Sequence, residues 1–123
     1  MTEARRQAAE KRGRRSETFA ALLLRFKGYR ILGRRVRTHA GEIDLIARAP
    51  SGLVCFIEVK ARADEALAVD SVGLRQQGRI ARAAALYLAS RPELARKGAR
   101  FDVVTVSPRS FPRHLRDAWR PGD

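Results

Sequence analysis

Two apolar half-strands with acids set into them, Gly41-Glu42-Ile43-Asp44-Leu45-Ile46-Ala47 and Leu53-Val54-Cys55-Phe56-Ile57-Glu58-Val59-Lys60, flank a Pro50-Ser51-Gly52 break. The break is turn chemistry and the halves are strand formers, so the stretch predicts a β-hairpin. A turn symmetric about Ser51 sets Asp44 opposite Glu58 and Glu42 opposite Lys60. Side chains alternate with period two, which gives Glu42, Asp44, Glu58 and Lys60 one face and Ile43, Leu45, Ile57 and Val59 the other. Opposed Cβ atoms lie roughly 5 Å apart. Two carboxylates at that spacing repel by roughly 3 kcal/mol at an effective dielectric near 20. Two readings stay open: a cation lies between the acids, or Lys60 neutralises one of them as a cross-strand pair. Register decides, because a slip of one residue sends Asp44 and Glu58 to opposite faces.

The flanking chain supplies the rest of a domain. Residues 1–13 carry Arg5, Arg6, Lys11 and Arg12 with only alanines to bury, which predicts a basic arm broken at Gly13. From Arg14 to Lys27 the spacing predicts an amphipathic helix with Phe19, Leu22, Leu23 and Phe26 as its buried stripe, and Gly28 as its C-cap. Glu17 lies on the other side, in line with Ala20, Ala21 and Leu24. Tyr29–Val36 reads as a strand. Beyond Lys60, the polar connection 61–70 is long enough for a flap over substrate. Ser71–Ser90 reads as the longest helix, stopped by Arg91-Pro92, with Gln77, Ile80, Ala81, Ala84 and Leu88 on one face. Residues 92–98 form a helical turn or loop, and Arg100–Val106 a fourth strand. The end, 109–123, reads as a short helix docked by Leu115 and Trp119, with a loose tail. The order is αβββαβ. It predicts an α/β domain over 14–108, a mixed four-stranded sheet flanked by helices.

A chain of 123 residues makes one small domain with a single core. With 26 basic against 13 acidic residues its net charge is +13, which favours a polyanion through counterion release. Nucleic acid is the default polyanion. Of the basic residues 22 are Arg and 4 are Lys, so a Lys at position 60 marks a place where a compact ammonium differs from a guanidinium. Arg34, Arg35 and Arg37 fall near the mouth of the proposed site and suit phosphate contacts or a solvated edge. His39 is the one histidine near the hairpin, with no partner in view. The single Cys55 excludes an internal disulfide and a multi-cysteine zinc site. No stretch reaches the roughly 18 apolar residues of a membrane span, so no membrane partner and a cytoplasmic location are expected.

The runs Gly41-Glu42-Ile43-Asp44-Leu45-Ile46 and Phe56-Ile57-Glu58-Val59-Lys60-Ala61-Arg62 resemble the YraN-like uncharacterised protein family, in the restriction-endonuclease-like PD-(D/E)XK superfamily. The resemblance spans about Gly13 to Ala118. It implies a restriction-endonuclease-like core, with Asp44, Glu58 and Lys60 as catalytic residues. Asp44, Glu58, Glu17 and the Val59 carbonyl would be ligands of Mg²⁺ (or Mn²⁺). Glu17 also reads simply as an acid favoured near a helix N-terminus. In the family pattern a Lys stands where this chain has Gln76, which leaves open whether Gln76, Gln77 or neither enters the site. Arg34, Arg35, Arg37 and Arg62 would contact nucleic acid.

The function implied is Mg²⁺-dependent hydrolysis of DNA phosphodiester bonds, on branched or structured DNA as in Holliday junction resolvases. A homodimer suits such a reaction, because two sites cut both strands. Two rivals remain: a non-catalytic DNA-binding or assembly module of the same fold, and an RNA-binding accessory protein. Trp119 reads either as a docking residue or as a platform for a base.

Overall fold

The computed structural model describes residues 2–61, 72–108 and 110–121, with side chains for all of these but 8–12. The 62–71 segment, which holds Arg62 and most of the expected flap, lies outside the described residues.

The first helix, α1 (Glu3–Phe26), begins at Thr2, whose Oγ1 accepts from Arg5 N at 3.2 Å. It runs through Gly13 without the expected break, so the basic segment extends the helix. A helical glycine costs about 1 kcal/mol against Ala, and the Ala, Arg, Glu, Gln and Lys residues around it outweigh that. At the far end Gly28, with φ +88°, donates to Arg25 O while Tyr29 N donates to Leu24 O. These two bonds make a Schellman cap, as the glycine predicts.

Among the described residues five strands follow: β1 (Arg30–Thr38), β2 (Gly41–Arg48), β3 (Val54–Lys60), β4 (Ala99–Ser107) and β5 (Ser110–Trp119). They lie side by side in chain order. All neighbours are antiparallel except β3 and β4, which run parallel. That parallel step needs a crossover. It is made through α2 (Leu74–Ala89) and the one-turn α3 (Pro92–Ala95). The expected order is present, with one strand more than the expected four.

The extra strand corrects the reading of 109–123 as a helix and tail. Charges at Arg113, Arg116 and Asp117 blur the alternation of β5, and Pro112 is tolerated because β5 is an edge strand. Trp119 is buried against Phe101, ring centroids 4.3 Å apart, which removes it as a base platform.

Helix α1 covers one sheet face and α2 the other. Ala20, Ala21 and Leu24 pack on Leu45, Ala47, Cys55, Ile57 and Val104, while Ala83 and Ala84 pack on Ile46, Val54 and Phe56. Of the stripe that the spacing predicts on α1, only Leu23 packs against this core. Phe19, Leu22 and Phe26 are 52%, 52% and 92% exposed. Burial follows the small residues, since alanines let the helix lie close to a sheet face already filled by Leu45, Ile57 and Tyr29. Among the described residues no helix is long and apolar enough to cross a membrane.

Candidate functional site

The β2–β3 register is Leu45↔Ile57, Ile46↔Phe56, Ala47↔Cys55 and Arg48↔Val54, symmetric about Ser51. Gly52 closes the turn at φ +96°, where an added Cβ would also meet the Lys97 side chain at 3.1 Å. Carried one step further, this register sets Asp44 against Glu58. The ladder stops before that step. There Asp44 Oδ2 accepts from Val59 N at 2.8 Å, so a side chain takes the backbone donor as the strands part. Strict alternation also breaks at Asp44, because Ile43 clusters with Ile46 and Phe56 on the α2 side while Leu45 packs on the α1 side. Across β1, Arg35 is in the left-handed region with φ +49° at the same level. The expected partition of faces thus holds for Leu45, Ile57 and Val59, and fails for Ile43.

Asp44 and Glu58 form a buried pair in which Glu58 is favoured to hold a proton toward Asp44. Burial raises the Glu58 carboxyl well above its ordinary range, and the neighbouring Asp44 charge raises it further, while Lys60 pulls the other way. Burial raises Asp44 as well, against the hydrogen bond from Val59, a hydrogen bond shared with the Glu58 carboxyl and the charge of Lys60. Glu58 is 4% exposed. Its Oε2 accepts from Gln76 Nε2 at 3.3 Å, and its Oε1 is buried without a hydrogen-bond partner among the described residues. A buried carboxylate oxygen with no donor is costly unless a proton or a cation reaches it.

Gln76 therefore reaches the acids from the first turn of α2. Gln77 turns away from the acids, its Nε2 donating to Val72 O, ahead of the helix, at 2.8 Å. Glu17, 7% exposed on α1, is close enough for its charge to act on Asp44. Its carboxylate is held by Arg35 Nε, 2.8 Å from Oε1 and 3.1 Å from Oε2. Arg34 Nη2 donates to Thr18 Oγ1 at 2.9 Å, and Arg37 Nε donates to Glu42 Oε2 at 3.3 Å. Of the four arginines expected to meet nucleic acid, the three described, Arg34, Arg35 and Arg37, are exposed, and each is also tied to a neighbour. Glu42 is drawn to Arg37 and not into a rung with Lys60. His39 sits exposed in the β1–β2 turn.

The donor set bears on a metal in two ways. Two hard carboxylates, one with an orphaned oxygen, suit a divalent cation that prefers oxygen ligands. Among the described residues no three His, Cys, Asp or Glu side chains converge as a ready-made cage. The residues fit a cation held by two acids, with Glu17 available only if Arg35 releases it.

Pattern alone passes over a second buried acid. Asp102 is fully buried on β4 and accepts from Arg100 Nε at 2.8 Å and Nη2 at 2.9 Å, and from Asp117 N at 3.0 Å. His114 Nε2 is 2.7 Å from its Oδ2, and Lys27 Nζ is 2.6 Å from His114 Nδ1. An ammonium only donates, so Nδ1 accepts and the Nε2 proton goes to Asp102. An acid inside Phe101-Asp102-Val103-Val104 is the signal that marks it.

The model of the uncharacterised protein family UPF0102 matches residues 16–106. A UPF0102 protein of Maricaulis maris is 56% identical over 123 residues, covering 100% of this chain and 95% of that one. A UPF0102 protein of Agrobacterium fabrum is 52% identical over 115 residues, 94% of this chain and 93% of its own. Another from Paramagnetospirillum magneticum is 52% identical over 118 residues, 93% of this chain and 91% of its own.

Proposed function

This chain belongs to the uncharacterised protein family UPF0102, and from its acidic pair we propose that it is a Mg²⁺- or Mn²⁺-dependent endonuclease that hydrolyses DNA phosphodiester bonds. Branched or otherwise structured DNA is the proposed substrate class, and the fold is read as a restriction-endonuclease-like core with β5 added. The observation that carries the reading is the buried Glu58 beside Asp44, with an oxygen that no described donor satisfies.

Asp44 and Glu58 would hold the cation, with the Val59 carbonyl as a further ligand by family resemblance. Bound there, a divalent ion supplies a Lewis acid for the phosphoryl oxygen and lowers the pKa of water. The chain's own residues do the rest. The Val59 N–H fixes the Asp44 carboxylate, and Gln76 orients Glu58 from α2. Lys60, half-buried at the end of β3, stabilises charge that develops on the phosphoryl group. The exposed arginines of β1 position the backbone without reading sequence.

One observation favours a binding module instead: the Arg35 bond that occupies Glu17. The same assay separates the two. Purified protein is incubated in Mg²⁺ and in Mn²⁺ with linear duplex, four-way junction and single-stranded DNA. Cleavage by wild type, lost in Glu58→Ala and Lys60→Met while Lys60→Met keeps its DNA affinity, supports the enzyme. Intact DNA of every kind under both metals replaces it with the binding module, and tighter binding to structured RNA than to any DNA replaces DNA as the partner.

A further inference from the structure

The network around Asp102 ends on an amine that the hydrolytic reading leaves unused. Lys27, the C-cap of α1, is exposed and places its Nζ 2.6 Å from His114 Nδ1 on β5. The His114 side chain is 2% exposed, its Nε2 lies 2.7 Å from Asp102 Oδ2, and its ring meets Tyr29 edge-on with centroids 5.4 Å apart. Asp102 is held in turn by Arg100 and by the Asp117 N–H. Three groups thus stand in line: an amine at the surface, a buried imidazole that accepts from it, and a buried carboxylate that fixes the imidazole. A base within hydrogen-bond reach of a nucleophile, and itself oriented by a third group, is the arrangement that activates the nucleophile.

We infer that Lys27 is a site of acylation by an anionic acyl donor, an acyl phosphate or the acyl thioester of a phosphorylated carrier, with His114 as the base. The inference is independent of the nuclease reading. An amine reacts only when neutral, and the surroundings favour that form. Partial burial lowers the Lys27 pKa below the ordinary lysine value and the charge of Arg116 lowers it further, Asp102 opposes both, and Arg100 adds to the lowering. The same two arginines, whose charge is felt at Nζ, draw an anionic donor to the amine. In the step Nζ attacks the donor's carbonyl carbon and a C–N bond forms, while the bond from that carbon to the phosphate oxygen or the thiol sulfur breaks. The amine proton passes to His114 Nδ1, where Asp102 stabilises the imidazolium, and then to the departing phosphate or thiolate. Nothing is oxidised or reduced.

The test is site-resolved mass spectrometry of the full chain incubated at neutral pH with acetyl phosphate and, separately, with acetyl-coenzyme A, the exposed Lys97 serving as the reference amine in the same molecule. Lys27 should acetylate on the order of tenfold faster than Lys97 with at least one donor, and the donor that gives the excess names the source. In His114→Asn, whose amide oxygen keeps an acceptor for the amine and cannot take its proton, the Lys27 rate should fall to that of Lys97 while Lys97 is unchanged. His114 is buried, so the melting temperature of the variant is read first. If it falls, wild type unfolded in guanidinium chloride takes its place, and the excess should vanish there because only the fold assembles the three groups. Equal rates at Lys27 and Lys97 in folded wild type with both donors overturn the inference and leave Lys27 as an ammonium that ties α1 to β5. An excess that survives in a stably folded His114→Asn, or in the unfolded chain, overturns it as well.

Discussion

Asp44 Oδ2 accepts the backbone N–H of Val59 at 2.8 Å, at the place where the next rung of the β2–β3 ladder would fall. An acid thus stands in for a backbone carbonyl, and its charge is brought against Glu58 by the same bond. Asp44→Asn keeps an acceptor for Val59 and removes the charge. Its melting temperature in chelator should equal or exceed that of wild type. Asp44→Ala strands the buried N–H and should cost about 1–3 kcal/mol. Added Mg²⁺ should stabilise wild type by mass action and leave Asp44→Asn unmoved. Thermal melts across a Mg²⁺ series check all three, and a wild type indifferent to Mg²⁺ would sink the metal assignment.

Glu58 makes stability depend on pH with a definite sign. Its folded carboxyl is raised by burial and then by Asp44. Above the ordinary carboxylate range the unfolded chain has lost this proton and the folded chain retains it. Folding then takes up a proton, so stability falls as pH rises toward the folded value, with a slope up to about 1.4 kcal/mol per pH unit. Denaturant titrations in chelator from acid to neutral pH should show the decline. Glu58→Gln, neutral at every pH, should flatten it.

The hairpin was legible because two signals agree on it, turn residues and apolar runs; its register was only supposed to be symmetric about Ser51, and the observed pairs from Leu45↔Ile57 to Arg48↔Val54 take that symmetry. What lies beyond the ladder was not legible. No spacing rule announces that Asp44 turns edge-on to bond Val59, or that Ile43 crosses to the α2 side. Helix α1 was placed correctly as an element around residues 14–26 and assigned the wrong buried stripe, because periodicity ranks stripes by bulk whereas a close helix–sheet contact selects Ala20 and Ala21. Strand β5 was hidden by its charges, and its reason for being a strand is non-local: His114 and Asp117 N reach Asp102 only from there. Gln76 was a coin toss with Gln77 until the start of α2 fixed which amide faces Glu58.

Asp102 predicts acid sensitivity of the opposite sign to Glu58. Burial pushes its carboxyl up, yet bonds from His114, Arg100 and Asp117 N hold it down at about 2, against an ordinary 3.8. The contribution is fully present above the ordinary value and is lost as pH falls through the folded one. That is worth roughly 2–3 kcal/mol for a fully buried group. Asp102→Asn leaves the Arg100 guanidinium without its counter-charge and should cost about 3 kcal/mol at neutral pH. It should also remove the steep loss of stability between pH 4 and pH 2, as read by circular dichroism.

The net charge of +13 predicts that log affinity for DNA falls steeply with log salt. Replacing Arg34 and Arg37 together should weaken binding to all sequences similarly and make the salt slope shallower by about one for each arginine that meets a phosphate. A flat salt profile, or a weakening confined to one sequence, would contradict a backbone role.

Arg35 stands apart from those two, because its guanidinium spans both oxygens of Glu17 from a residue at φ +49°. With the Arg side chain 38% exposed and the Glu side chain 10%, the pair is screened on one side only. Arg35→Ala leaves a nearly buried carboxylate next to Asp44, whose charge already acts with it. In chelator the variant should therefore lose about 1–2 kcal/mol, less than a fully buried pair because solvent reaches the arginine. Two roles for Glu17 then diverge. If it completes the cation site, releasing it from Arg35 should steepen the rise of melting temperature with Mg²⁺ beyond that of wild type, and Arg35→Ala combined with Glu17→Gln should abolish the difference. If Glu17 serves only to anchor α1 to β1, the Mg²⁺ response of Arg35→Ala should equal that of wild type, and the double variant should recover the stability lost in chelator without changing the response. Melts of the three proteins over a Mg²⁺ series separate these outcomes, because the first is read in the slope and the second in the intercept.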